Sequence, residues 1–271
     1  MTTLLRCDVC RAEYPYSEPI TRCRQCRGLL ALHYDDDPAT IARRFADRGA
    51  CSPSLERSGV WRFRELILPE ARDGDIVSFP EGNTPHLARP AVAAWADCRR
   101  LALKHEGMNP SGSFKDRGMT VAVSHAKALG MKGVACASTG NTSASLAAYA
   151  AQAGLGGVVL IPAGKTALGK LAQTIAYGAR ILAVRGDFDA CLSLVDQASE
   201  ELGLYLVNSI NPFRLAGQRT IVFEILEDRR WRAPDWIALP AGNLGNTAAF
   251  GAALVQAHAL GLIERIPRLA A

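Results

Sequence analysis

From about residue 100 onward, short apolar runs alternate with longer helix-forming stretches, and that alternation restricts the fold more than any other feature. The runs are LALK (101–104), GVACAS (133–138), GVVLIP (157–162), ARILAV (179–184), LYLV (204–207) and WIALP (236–240). Between them lie helical stretches at 114–129, 142–153, 167–177, 187–202, 213–227 and 246–260. The runs are continuously apolar, as strands covered on both faces must be. Repeated β–α units predict an α/β fold, a mainly parallel sheet with helices on both sides. Ligands of such sheets bind beyond the carboxyl ends of the strands, so chemistry is expected in the loops after these runs.

Composition supports this and excludes alternatives. Glycine is abundant (24 of 271 residues) and aromatics make up only 7%, which suits helices packed closely on a sheet better than a β-sandwich. An apolar fraction of 49% supports a sizeable core and excludes global disorder. The net charge of +5 is mild and unclustered, so no nucleic-acid partner is expected. No stretch reaches 18 uninterrupted apolar residues, so no membrane span is expected. The start, MTTLLRCDVC, lacks the apolar region of a signal peptide, and a cytoplasmic location is expected.

Residues 1–34 form a separate unit in the sequence, 35–75 a linker with a short connecting helix (PATIARRFADRG), and 76–271 the α/β region. Cys7, Cys10, Cys23 and Cys26 form two CxxC pairs twelve residues apart, the spacing of a four-thiolate zinc site. Four equivalent thiolates leave no open position, so such a zinc is structural. Gly28 fits a tight turn after the second pair, and Ala12 occupies the matching place after the first. A metal-free hairpin is the alternative. Cys51, Cys98, Cys136 and Cys191 are solitary, and Cys136 lies in a predicted core strand.

Three loops stand out. NPSGSFKDRG (Asn109–Gly118) follows the run at 101–104 and opens a helix. A lysine there, Lys115, is partly desolvated beside a positive helix end. Both effects disfavour its ammonium, as a Schiff-base lysine requires, although position alone favours an exposed first-turn lysine. STGNTSAS (Ser138–Ser145) follows the run at 133–138. Asn141 is placed to donate to a ring oxygen, or the Ser and Thr residues are plain helix caps. GNLGN (Gly242–Asn246) follows WIALP; its glycines and free N–H groups suit a phosphate, with a plain Gly-rich turn as the alternative. It is not GxGxxG, so a nicotinamide-dinucleotide fold is poorly supported. GKT at Gly164–Thr166 is not a P-loop, because Val159 stands where its first glycine belongs. His105-Glu106 is not completed to HExxH, because Asn109 holds the second histidine's place, and no GxSxG elbow occurs.

Lysine, ring-oxygen donor and phosphate cradle together describe a pyridoxal-phosphate site. SFKDRG, SxGNTSAS and PxGNLGN, in this order, resemble the threonine synthases among the fold-type-II pyridoxal-phosphate enzymes. EGNTPH (Glu81–His86), KHEGMNPSGSFKDRGM (Lys104–Met119) and NSINPFRLAGQRT (Asn208–Thr220) strengthen the resemblance, which covers about residues 55–265. It implies a three-layer, tryptophan-synthase-β-like architecture behind a zinc-ribbon-like segment. It further implies Lys115 as the Schiff-base lysine, Asn141 at the cofactor's ring hydroxyl, and Gly242, Asn243, Leu244, Gly245 and Asn246 at its phosphate. The implied substrate is O-phosphohomoserine, its phosphate met by Ser138, Thr142, Asn208, Ser209 and Arg214, and the products are threonine and phosphate. A homodimer is left open. So are a related enzyme, such as a cysteate synthase or an amino-acid ammonia lyase, and a non-catalytic fragment. Family members continue beyond RIPRLAA, so the resemblance implies a chain shortened at its carboxyl end. Such a chain would lack a later strand and the hydroxyl residue at the pyridine nitrogen, with apolar surface exposed on the helix at 246–260.

Overall fold

The structure, a computed structural model, describes residues 3–47, 55, 57–164 and 168–271. Cys51 and the Lys165-Thr166 part of GKT lie outside the described residues. At the amino end, β1 (Thr3–Cys7), β2 (Glu13–Pro15) and β3 (Leu30–Tyr34) form an antiparallel sheet in the order β2-β1-β3. Thr3, Leu5 and Cys7 face inward, and Leu5, Leu30 and Leu32 join the main hydrophobic core. Helix α1 (Pro38–Asp47) and the short α2 (Arg64–Ile67) lead onward. Next come β4 (His86–Ala88), α3 (Pro90–Trp95) and β5 (Ala102–Lys104).

The predicted alternation then appears. It runs α4 (Lys115–Ala128), β6 (Gly133–Ala137), α5 (Asn141–Ala153), β7 (Gly156–Pro162), α6 (Leu168–Ala176), β8 (Arg180–Val184), α7 (Phe188–Leu202) and β9 (Tyr205–Leu206). It continues through α8 (Pro212–Asp228), β10 (Trp236–Ala238), α9 (Gly245–Ala259) and β11 (Arg268–Ala270). Strands β8-β7-β6-β9 form one parallel sheet in that order. Two expected strands stand outside it. LALK pairs antiparallel with β4, and WIALP pairs in parallel with β11 alone. Over four residues, apolarity does not separate a buried strand from a half-exposed ribbon, and Leu103 is in fact exposed.

The sheet order sets the site. The chain moves outward from β6 to β8, then returns to the other side of β6 as β9, so the sheet has its switch point between β6 and β9. There the amide of Asn208 extends the ladder: Ala137 N–H donates to its Oδ1 (3.1 Å) and its Nδ2 donates to Ala137 O (3.0 Å).

Helices α4 and α8 cross with backbones touching. A Cβ on Gly217 would lie 1.9 Å from Arg117 O, and one on Gly118 would lie 2.8 Å from Arg214 O. Beside the crossing, the fully buried Arg117 donates from Nε and Nη2 to Glu106 (2.7 and 2.8 Å), and from Nη2 to Glu224 (2.7 Å) and Thr84 (3.1 Å). Lys104 Nζ completes the cluster at 2.8 Å from Glu224. Helix α9 buries Ala249, Phe250, Ala253, Leu254 and Ala257 and exposes Val255. No described helix is long and apolar enough to cross a membrane.

Gly217→Ala is therefore expected to force the two helices apart. The added methyl meets rigid backbone, so the loss should reach or exceed the upper end of ordinary overpacking, about 3 kcal/mol. Urea denaturation of the variant and the parent checks this; a loss under about 1 kcal/mol contradicts the crossing as described.

Candidate active site

Lys115 is the first residue of α4; the cap residue Phe114 makes no side-chain cap bond, and Ser113 Oγ accepts from Lys115 N–H (3.3 Å). The residue is half-buried, with Nζ 4.1 Å from the Phe114 ring centroid. Burial first, and the charge of Arg214 second, lower its pKa from 10.5 to about 8. The next residue fastens the turn. Asp116, fully buried, accepts from Ser111 N–H (2.7 Å), Ser111 Oγ (2.5 Å) and Ser145 Oγ (2.6 Å). Since Ser145 lies in α5, this carboxylate ties the lysine turn to the helix that begins at Asn141. The lysine thus reaches the sheet through helix packing, because its preceding strand belongs to the separate ribbon.

The start of α5 is not capped by its hydroxyls. Gly140 is the cap residue, with no side-chain cap bond, and Ser143 Oγ donates backward to Gly140 O (2.6 Å). Asn141 is exposed, and Ser138 and Thr142 are half-buried beside it. Plain capping therefore does not account for this segment.

Across the switch point, Ser209 is half-buried, while both polar ends of Asn208 are engaged by Ala137. This assigns Asn208 to shaping the loop. Asn211 caps α8, its Oδ1 accepting from Phe213 and Arg214 N–H (3.0 and 3.2 Å). Arg214, 1% exposed, donates from Nη1 to Val207 O (3.0 Å). Its Nε and Nη2 are buried and have no hydrogen-bond partner among the described residues. Burial lowers its pKa to about 10. A buried cation with free donors is the natural complement of an anion.

The glycine turn lies against the same place. A Cβ on Gly245 would sit 3.5 Å from Leu215 and 4.0 Å from Ser209. Leu244 holds a left-handed conformation (φ 61°) as the turn enters α9, and Asn243 Oδ1 accepts from Gly245 N–H (3.2 Å). Nothing lies within 4 Å of a Cβ built on Gly242, so the protein itself does not require glycine there. Asn246 Oδ1 and Thr247 Oγ are buried without hydrogen-bond partners among the described residues. Open space at the glycine, the unpartnered Thr247 hydroxyl and a helix start all fit a phosphate, whereas Asn246 Oδ1 accepts only and calls for a donor. Lys115 and this turn share one neighbour, the Arg214–Leu215 segment. Thr247, Asp116 and Ser145 escaped the sequence reading. Only the hydroxyl immediately after GNLGN gave a signal, for Thr247.

Cys136 is a core thiol, as expected: burial pushes it up to about 12. At the amino end, the sulfurs of Cys7, Cys10, Cys23 and Cys26 lie within 4.8 Å of one another. The Cys7–Cys26 and Cys10–Cys23 pairs are 3.5 Å apart, and Cys10–Cys26 3.4 Å. A zinc tetrahedron with sulfur ligands has edges of about 3.8 Å. Arg11 and Arg27 take the left-handed conformation at the two turns (φ 64° and 60°). Gly28 is needed for space instead, since a Cβ there would meet Cys7 Sγ at 3.0 Å.

A family model described as "Pyridoxal-phosphate dependent enzyme" matches residues 77–266. A threonine synthase of Methanosarcina acetivorans is 46% identical over 98% of this chain and 63% of its own length. One of Methanocaldococcus jannaschii is 45% identical over 98% of this chain and 64% of its own. The chain thus spans somewhat less than two thirds of these relatives. Among solved structures, maize serine racemase superposes with a TM-score of 0.61 at 22% identity, covering 88% of this chain and 61% of that one; this shows the shared fold. Family match and site geometry lead to one conclusion: the chain belongs to the pyridoxal-phosphate dependent enzymes.

Proposed function

We propose that the chain carries threonine synthase activity, converting O-phosphohomoserine and water to threonine and phosphate. The observation that carries this reading is Arg214. It is a buried guanidinium with two free nitrogens whose charge acts on Lys115, and the next residue, Leu215, packs against the glycine turn. A second anion holder next to the reacting amine suits a substrate that itself bears phosphate. An ammonia lyase would turn the same guanidinium to the substrate's carboxylate, so release of phosphate separates the two readings. Identity of 45–46% to threonine synthases points the same way.

Pyridoxal phosphate supplies an electron sink for charge developing at the substrate's Cα. Gly242–Asn246 and Thr247 are the residues to hold its phosphate, and Asn141 its ring hydroxyl. Lys115 would hold the cofactor at its aldehyde through Nζ, and the same nitrogen, when free, is the group to move protons at the substrate. An amine that ionises at about 8 is suited to both tasks near neutral pH. Arg214, with Ser138, Thr142 and Ser209, holds the substrate's phosphate and neutralises it as it leaves. The tie from Asp116 to Ser145 keeps lysine and Asn141 in register.

The four cysteines hold zinc in this reading. The sulfur spacing supports it, and four thiolates make the role structural.

Pyridoxal phosphate added to the full chain should give visible absorbance and, after borohydride, a mass increment on Lys115. The condensation rate should rise with pH through a midpoint of about 8, because the neutral amine is the nucleophile. Lys115→Ala should abolish both signals; a midpoint near 10.5 would place the amine in open water. With O-phosphohomoserine, phosphate and threonine should appear in equal amounts, and Arg214→Gln should lower kcat/KM roughly 100-fold. Ammonia release from serine or threonine, without phosphate release from O-phosphohomoserine, identifies a lyase instead. Elemental analysis should find about one zinc per chain, lost in Cys23→Ser. Four freely titrating thiols and no metal would refute the zinc assignment.

A further inference from the structure

His125 takes no part in the site above, yet it is 1% exposed and all of its polar capacity is used. Its Nε2 lies 2.8 Å from the carbonyl oxygen of Tyr16, and its Nδ1 lies 2.8 Å from the hydroxyl of Tyr205. A carbonyl only accepts, so Nε2 carries the proton, and Nδ1 accepts from the phenol. Burial lowers the imidazole's pKa to about 4, so the neutral ring that this arrangement needs persists. The ring also stacks on Phe213, with centroids 3.6 Å apart and planes at 17°.

These three partners come from three parts of the fold. Tyr16 lies between the two cysteine pairs. Two residues earlier, Tyr14 accepts from Arg24 N–H (3.2 Å), which leaves its hydroxyl proton to donate to Cys23 Sγ, also at 3.2 Å. Tyr205 stands on β9, three residues before Asn208, and Phe213 immediately precedes Arg214. His125 itself belongs to α4, the helix that Lys115 begins. Its ring therefore touches the cysteine unit on one side and, on the other, the two segments that carry the switch-point loop and the free guanidinium.

We propose that His125 is a positioning residue that transmits the seating of the four-cysteine unit to Arg214 and so sets the affinity for the substrate's phosphate. This rests on the reading of Arg214 as that phosphate's ligand. A residue of purely structural value would change stability. A relay makes two distant perturbations interchangeable, because each acts through the same ring.

The test uses the full chain loaded with zinc and pyridoxal phosphate, so that the cofactor's own phosphate cradle is filled. Inorganic phosphate binding is measured by calorimetry in four states: parent, His125→Phe, chelator-treated parent, and chelator-treated His125→Phe. Phenylalanine keeps the stack on Phe213 and removes both hydrogen bonds. Phosphate affinity should fall about tenfold in His125→Phe and about tenfold on chelation of the parent, with little further loss when the two are combined. Phe213→Leu, which keeps the hydrogen bonds and removes the stack, should reproduce the loss and serves if His125→Phe fails to fold. Cofactor absorbance should remain unchanged in both variants. Unchanged phosphate affinity in both variants, or losses that multiply, overturns the relay. Phosphate binding that Arg214→Gln abolishes but the His125 and Phe213 variants leave intact overturns only the relay. No phosphate binding to the parent overturns the reading of Arg214 and the relay with it.

Discussion

The crossing of α4 and α8 fixes nearly everything that matters for chemistry. Gly118 and Gly217 let the two backbones touch, and each leaves room for no side chain on the other. Arg214 touches Gly118 with its own backbone, and Lys115 lies three residues, about one helical turn, before Gly118. Amine and guanidinium are therefore located by rigid backbone contact, with no loop slack between them. Touching helices are also insensitive to side-chain rearrangement, which is what a constellation needing sub-ångström placement requires.

Ionic groups lock this crossing. Arg117 and Lys104 supply two positive charges, and Glu106 and Glu224 two negative ones, with Thr84 and Thr220 filling remaining donor positions. Desolvation alone would raise the pKa of Glu224, but Arg117 and Lys104 outweigh it and hold the carboxyl below its usual range. A buried cluster of this kind contributes little net stability compared with a well-packed apolar one. It does penalise any arrangement that leaves a member unpaired. The cluster gathers residues from EGNTPH, KHEGMN, SFKDRG and the middle of α8. It also gives those stretches a physical reason to contain so many charged residues at buried positions.

Local signals in the sequence were enough for what is local in the structure. Lys115, Asn141 and the 242–246 turn each sit where a strand or ribbon ends and a helix begins, and the residues flanking them state that transition. Paired thiols likewise declare themselves by spacing. Features that depend on distant partners left no such trace. LALK reads as a core strand because its antiparallel partner, at 86–88, is too short and mixed to announce itself. Asn208 reads as a ligand by resemblance, and only the position of Ala137 shows that its amide extends the sheet. Nothing in SHAKA marks His125, since its partners lie 109, 80 and 88 residues away. Gly28 was read as a turn residue because glycine usually supplies a left-handed conformation. Here the arginine before it takes that conformation, and glycine makes room for sulfur.

The electrostatics of the site follow from the same placement. Arg214 stands in the first turn of α8 and carries a full charge that, among the described residues, one backbone carbonyl engages. In the free protein this is unfavourable: a buried cation with two idle nitrogens opposes folding, and it also makes the neighbouring lysine a weaker base. Anions that enter relieve both effects at once, so their binding energy is coupled to the stability of the folded chain. Burial does most to make the lysine a weak base, and the uncompensated charge of Arg214 adds to it; on the proposed reading the same charge attracts the substrate's phosphate. If the proposed reading holds, neutralising that charge relieves an unfavourable burial and removes the phosphate's partner in one step, the usual relation between a destabilised site and the work it performs.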